Sequence, residues 1–294
     1  MSGGRGITRR GFVAGAAAAL AAPDPSAAAA TVSRAAVVDW ALVETSLALE
    51  VAPLAAVELV LYRRLVVEPA VPAGVIDLGL RGSIDFELLA STRPDRIYRS
   101  NFSAWAAAQL ERIAPVRDLT IFRRGEKPFA RAEEAMRAMA ADYGVPARAE
   151  AYIAATATEL LRLSRALERW TDRPVLIANL GDARHFRTFG EDSMFGEVAA
   201  RLGFRNAWGP RTSYSATAPV GIEALAGMPE AIVVLVGPIP PEARQALPAS
   251  ALWQAMPQVA AGRVLTIDPV NAFGGLPAGR RFARLFAEAL ERRA

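Results

Sequence analysis

A chain of 294 residues with 52% hydrophobic and 22% charged side chains can build one large folded domain or two ordinary ones, and its formal net charge of +4 makes no electrostatic case for a nucleic acid partner. It has no cysteine, which excludes disulfides, thiolate metal sites and a lipidated-cysteine tether. A single histidine leaves little for imidazole ligation or acid–base chemistry.

Thr8 to Ala14 reads TRRGFVA and runs into an Ala/Gly-rich apolar stretch that ends near Ala22, followed by Pro23 and by A-x-A cleavage options around Ala28 to Ala30. The apolar stretch is shorter than the ~20 residues needed to span a bilayer. Residues 1–30 are therefore expected to be a twin-arginine signal peptide, with the mature protein soluble in a periplasm. Its removal takes away Arg5, Arg9, Arg10 and Asp24 and lowers the net charge to +2.

Beyond it, short β-branched runs alternate with helical spacing. AAVVDW before Ala41, GVIDLG before Leu80, DRIYRS before Asn101 and DLTIF before Arg123 predict strands in the first half, and PVLIANLG, AIVVLVG and RVLTIDP repeat the scheme in the second. Layered α/β structure follows. In VIDLGLRGSIDFELL, from Val75, a strand runs into Arg81 between Gly79 and Gly82 and then into a helix, an arrangement that lets the backbone turn sharply and presents the guanidinium. The segment Pro146–Trp170 has Ile153, Ala157, Leu160, Leu163 and Leu167 at helical spacing, no internal proline or glycine, and a proline suited to the first turn. As one helix it would be about 37 Å long. The chain thus divides into 1–30, an N-terminal α/β lobe over 31–145, a bridging helix over 146–170 and a C-terminal α/β lobe over 171–294. A faint repeat, Phe86 to Tyr98 against Ile222 to Val233, with Pro94 and Pro229 at matching turns, fits two related lobes.

Catalytic and metal constellations are thin. No GxSxG, P-loop or HExxH pattern occurs, His185 in DARHFRTFG is best read as a locally bonded turn or strand residue, and five scattered tyrosines make no adjacent pair for ferric iron. Any iron handled here must arrive already wrapped in a chelator.

The runs VVDWALVETSLALEVAP, YRRLVVEPAVPAGVIDLGLRGSIDFELL, ERIAP near Glu111, DARHFRTFGEDSMFGEVAARLGFRNAW and LWQAMPQVAAGRV resemble the periplasmic ferric hydroxamate-binding proteins, substrate-binding components of ABC importers for iron(III)-siderophores. The resemblance implies two α/β lobes joined by one long helix, a shallow ligand cleft between them, and limited motion. It implies that Arg81 bonds the chelate oxygens, as a planar multi-donor cation suits two oxygens at once. Other pocket positions depart from the family: Ser103 stands for a tyrosine, with Phe102 and Trp105 beside it, Leu65 for a tryptophan, Ser215 for a tryptophan, with Tyr214 and Thr217 beside it, and Asn271 and Phe273 for aromatics. Tyr62, in the well-matched YRRLVVEP, is a further candidate. Glu111 and Glu223 are the possible permease-docking acids.

The reading is a monomeric, non-enzymatic binding protein without a cofactor or resident metal, carrying a ferric siderophore of hydroxamate type to an inner-membrane permease. The altered aromatics leave open another bulky chelate, such as cobalamin, heme or a catecholate siderophore; one histidine disfavours heme. The rival from another class is an exported hydrolase using His185 as base.

Overall fold

The computed structural model describes residues 31–210 and 220–293, so the expected signal segment lies outside the described residues. Each apolar run that the sequence marks as a strand is short, and the helices between them return the chain in the same direction, which produces parallel pairing. The first sheet contains β1 (Ala35–Val37), β2 (Ala55–Ala56), β3 (Ile76–Asp77), β6 (Arg96–Arg99) and β7 (Val116–Asp118), in the order β3-β2-β1-β6-β7 with every pair parallel. A small antiparallel hairpin, β4 (Gly79–Leu80) and β5 (Ser83–Ile84), stands apart from it. Helices α1 (Trp40–Ala48), α2 (Leu59–Leu65), α3 (Phe86–Ser91) and α4 (Ala107–Glu111) make the crossovers, and α5 (Pro128–Asp142) and α6 (Pro146–Leu167) follow.

The second sheet, β8 (Val175–Leu180), β9 (His185–Phe189), β10 (Val220–Gly221), β11 (Ile232–Val236) and β12 (Val264–Ile267), has the order β10-β9-β8-β11-β12. Its β8, β11 and β12 are parallel, whereas β9 pairs antiparallel with β8 on one side and with β10 on the other. Helix α7 (Met194–Arg201) follows β9, three short helices α8 (Pro241–Ala246), α9 (Ala251–Gln254) and α10 (Pro257–Ala260) precede β12, and α11 (Leu276–Glu291) ends the chain.

Two expectations shift by a few residues. The strand expected at DLTIF forms instead at Val116–Asp118. Its partner β6 ends at Arg99, whose carbonyl takes the last ladder bond from Leu119 N at 2.9 Å; beyond it the Asn101 N–H donates to the Thr120 hydroxyl at 3.0 Å and its Nδ2 to the Phe122 carbonyl at 3.1 Å, so Thr120 to Phe122 is held by Asn101 rather than by a ladder. The long helix ends at Leu167, and Glu168–Trp170 tightens into a 3-10 turn. Its inner stripe is Ala149, Ile153, Thr156, Leu160, Leu163 and Leu167, while Ala157 is exposed. Thr156 can be buried because its hydroxyl donates to the Tyr152 carbonyl one turn back at 2.8 Å.

Residues from Thr31 onward form one compact unit. A continuous apolar core runs from the first sheet through α1, α5, α6, α7 and α11 to one face of the second sheet, where Val175, Ile177, Ile232 and Val234 point. The alternate residues Leu176, Ala178, Val233 and Leu235 face a second cluster with Ile222, Leu225, Trp253 and Met256. Across the first of these cores lies a buried carboxyl. Glu44, on α1 and fully buried, accepts from Asn271 Nδ2 at 2.7 Å and from the Gly275 N–H at 3.0 Å, just ahead of α11. The approach is close enough that a Cβ on Gly275 would lie 2.9 Å from the Ala41 carbonyl and from Thr45 Oγ1.

Burial pushes the Glu44 carboxyl up to about 8, against the pull of its Asn271 and Gly275 hydrogen bonds. The folded state therefore holds a proton that the unfolded chain releases near its ordinary value of 4.5, and Glu44's contribution to stability is lost as pH rises towards about 8. Glu44→Gln, which keeps the amide-sized contact and cannot ionise, should remove that loss. Urea unfolding of both proteins at about pH 5 and about pH 8.5 should show the variant gaining on the wild type at the higher pH; a constant difference between them would refute it.

Candidate functional site

Arg81 owes its position to local geometry. Gly79 pairs with Ile84 and Leu80 with Ser83, so Arg81 and Gly82 form the two-residue turn of the hairpin. Of the flanking glycines only Gly79 adopts a left-handed backbone, at φ 79°. Gly82 does not, and a Cβ there would meet open space, so the expected need for glycine on both sides holds on one side only. The Asp77 carboxylate pins the hairpin's entry by accepting from Leu59 N and Gly79 N, each at 3.1 Å.

The guanidinium lies 3.7 Å above the Trp40 ring centroid, and its Nε donates to Glu58 Oε2 at 2.5 Å. Trp40 is the first residue of α1, capped by Asp39, whose Oδ1 accepts from Ala41 N at 2.9 Å and Leu42 N at 3.3 Å. The indole N–H donates to the Val57 carbonyl at 3.0 Å, and the Tyr62 ring meets the indole edge-on at 5.7 Å between centroids. Trp40 is thereby clamped from behind and carries Arg81 in front. Asp39 also accepts from Ser100 Oγ at 2.5 Å; burial pushes its carboxyl above the ordinary range, opposed by the hydrogen bonds and by the charge of Arg81.

In front of this platform is a cavity of about 480 Å³. Trp40, Arg81 and Glu58 form one side and Phe102, Ser103 and Trp105 another, while Asn271 and Phe273 arrive from the loop after β12. Phe102 and Phe273 meet edge-to-face at 5.5 Å, and Phe273 meets Phe122 at the same distance. Phe102 and Trp105 are about half exposed, at 48% and 49%, so their rings are offered to a ligand rather than spent in the core. Ser103 is buried and donates to the Ser100 carbonyl at 3.3 Å; Asn271 holds Glu44 through its amide and accepts from Phe273 N at 3.2 Å. These two position the wall more than they offer polar groups to a ligand.

Of the residues singled out in the sequence, Arg81, Phe102, Ser103, Trp105, Asn271 and Phe273 come together. Tyr62 does not: it is fully buried behind Trp40 with its hydroxyl donating to the Pro69 carbonyl at 3.1 Å, so it supports the platform rather than facing the cavity. Tyr214, Ser215 and Thr217 lie outside the described residues. Sequence reasoning missed Asp39, Trp40 and Glu58, although the Asp-Trp pair before an apolar helical run is a cap signal beside an aromatic.

Glu111 is exposed at the end of α4, and Glu223 is exposed in the 3-10 turn Ile222–Gly227, beside a second cavity of about 530 Å³ that also contains His185. His185 opens β9 and its Nδ1 lies 2.9 Å from Asp182 Oδ2, a contact that holds the Asp182 carboxyl below its ordinary range. Among the described residues no hydroxyl is hydrogen-bonded to its other nitrogen, which a histidine-assisted nucleophile requires. No group of three or more His, Asp or Glu suited to a metal ion occurs among the described residues.

Comparison with known proteins gives a family match, to periplasmic binding proteins, over residues 36–270. The iron(3+)-hydroxamate-binding protein FhuD of Escherichia coli K12 is 32% identical over 258 residues, covering 86% of this chain and 85% of that protein. The crystal structure of FhuD from Vibrio cholerae with Fe3+–Desferal bound superposes with a TM-score of 0.83 at 28% identity, covering 88% of this chain and 98% of that one. The petrobactin-binding protein YclQ of Bacillus subtilis shares the fold, with a TM-score of 0.71 at 14% identity over 89% of this chain and 93% of that one.

The left-handed backbone at Gly79 yields a direct test of the hairpin. Gly79→Ala should cost about 1–2 kcal/mol in urea unfolding, because a Cβ disfavours that conformation, whereas Gly82→Ala should be close to neutral. Equal costs at the two positions would contradict the assignment of the turn.

Proposed function

The chain belongs to the periplasmic binding protein family, and on that premise we propose that it is the substrate-binding component of an ABC importer for ferric siderophores of hydroxamate type. The observation that carries this reading is Arg81, held on Trp40 at the mouth of a cavity with aromatic walls. Among the described residues the two Nη groups of Arg81 carry no hydrogen bond, so they can donate to the polarised oxygens around a chelated iron while Nε remains on Glu58. Phe102, Trp105 and Phe273 cover the organic shell.

Iron is cargo here and not a resident metal, and binding is recognition without bond making or breaking. We read the segments 31–145 and 171–294 as two lobes, with the helix Pro146–Leu167 and its 3-10 extension as the bridge between them. A continuous helix resists bending, and the buried Glu44 contact adds a second tie, so ligand entry should need only small displacements. Glu111 and Glu223 are the acids proposed to meet the membrane permease, where they would serve orientation and encounter more than affinity. The twin-arginine segment would deliver the protein, folded and monomeric, to the periplasm.

Trp40 and Trp105 line the cavity, so ligand entry should quench tryptophan fluorescence. Titrating the protein without residues 1–30 with the ferric complex of desferrioxamine B should give saturable quenching. Arg81→Ala should weaken binding roughly 10- to 100-fold, as expected for loss of charge-assisted hydrogen bonds, and Arg81→Lys should recover part of it. Unchanged affinity in Arg81→Ala would remove Arg81 from the site, and no binding of any ferric chelate would overturn the function.

A further inference from the structure

We propose that Glu58 is the charge filter of this cleft, making it select ferric chelates without net negative charge and reject polyanionic ones. The inference rests on the function proposed above and adds to it a specificity residue and the property that residue reads.

Among the described residues that line the cavity, Arg81 is the one cation, while Glu58 and Asp39 are carboxyl groups. Glu58 already occupies Arg81 through the 2.5 Å contact to Nε. The pair is asymmetric: the Glu58 side chain is 16% exposed and that of Arg81 47%, so the carboxylate sits behind and the guanidinium reaches out. Little lets Glu58 withdraw. Its backbone N–H donates to the Gly79 carbonyl at 2.7 Å, its φ of 53° lies in the left-handed region that a non-glycine residue avoids, and the N–H of the next residue is taken by Asp77. Among the described residues Glu50, Val67 and Arg93 share that conformation, and of the four Glu58 is the one that lines the cavity.

The consequence follows from the charge of the cargo. Three hydroxamates, each singly negative, balance Fe3+ and leave a neutral complex whose oxygens are merely polarised. Three doubly negative catecholates leave a complex of charge 3−. The neutral complex can accept hydrogen bonds from the Arg81 Nη groups without disturbing the ion pair. The trianion meets a carboxylate a few ångströms behind the guanidinium, and in a partly desolvated cleft that repulsion cancels much of what the cation offers.

Glu58→Gln keeps a hydrogen-bond acceptor for Arg81 and removes only the charge; Glu58→Asp keeps the charge. The probes are the ferric complex of N-acetylated desferrioxamine B, which is neutral, and a ferric triscatecholate of charge 3−, each followed by fluorescence titration. In the wild type the neutral complex should bind more tightly. In Glu58→Gln the ratio of affinities should move towards the trianion by roughly tenfold; Glu58→Asp should keep the wild-type ratio, and the shift should shrink at high salt because it is electrostatic. An unchanged ratio in Glu58→Gln, or equal weakening of both ligands, would overturn the charge filter and leave the proposed function standing. Failure of the wild type to bind either complex would instead overturn the proposed function, and the filter with it.

Discussion

The hydrogen bonds that Glu44 accepts from Asn271 and Gly275 join positions 227 and 231 residues apart in the chain, and the cleft depends on them. A carboxyl this deeply buried is costly when ionised, so it is kept largely protonated and still needs its partners. Both sides of the contact are shaped by it. On α1, Glu44 lies one turn beyond Trp40; on the other side, a Cβ on Gly274 would come within 2.6 Å of Glu44 Oε2, so the loop can approach only where side chains are absent. The contact thereby places Asn271 and Phe273 opposite Trp40 and gives the cavity its far wall.

That frame explains how a short hairpin can present a reliable cation. The Arg81 side chain is long and half exposed, and on its own it would sample many rotamers. Here its plane rests on an indole that is itself fixed by the Val57 carbonyl and the edge of Tyr62. Tyr62 contributes by being buried: rigidity passes from the core through Tyr62 and Trp40 to a group that meets solvent. Pairing with Glu58 then sets both the direction and the electrostatic character of the guanidinium, so one ion pair does structural and selective duty together.

The helical layer has a parallel role on a larger scale. Because α1, α5, α6, α7 and α11 share one core with both sheets, the two halves of the chain are joined by more than the helix Pro146–Leu167. Two further polar ties cross the same boundary: Glu197 on α7 accepts from Phe129 N at 2.8 Å, and Arg281 and Arg284 on α11 both reach Glu68, at 2.7 and 2.6 Å. A binding protein so tied should act as a preorganised receptor, which limits the ordering cost of taking a ligand.

Local chemistry was legible in the sequence by itself: β-branched runs became β1, β6, β8, β11 and β12, the unbroken helical spacing after Pro146 became α6, and the glycine before Leu80-Arg81 became the left-handed first residue of a hairpin with Arg81 in its turn. Such features depend on neighbours a few positions away, and the residues quoted carry that information in place. What the sequence left undetermined depends on partners far along the chain. Nothing near Thr156 says that it, and not Ala157, faces inward; nothing near Tyr62 says that it lies behind Trp40; nothing near Glu58 says that it will meet Arg81. Only the tertiary structure decided these, because burial and pairing are set by which distant surfaces close against each other, and a side chain's role follows from that closure rather than from its own residue type.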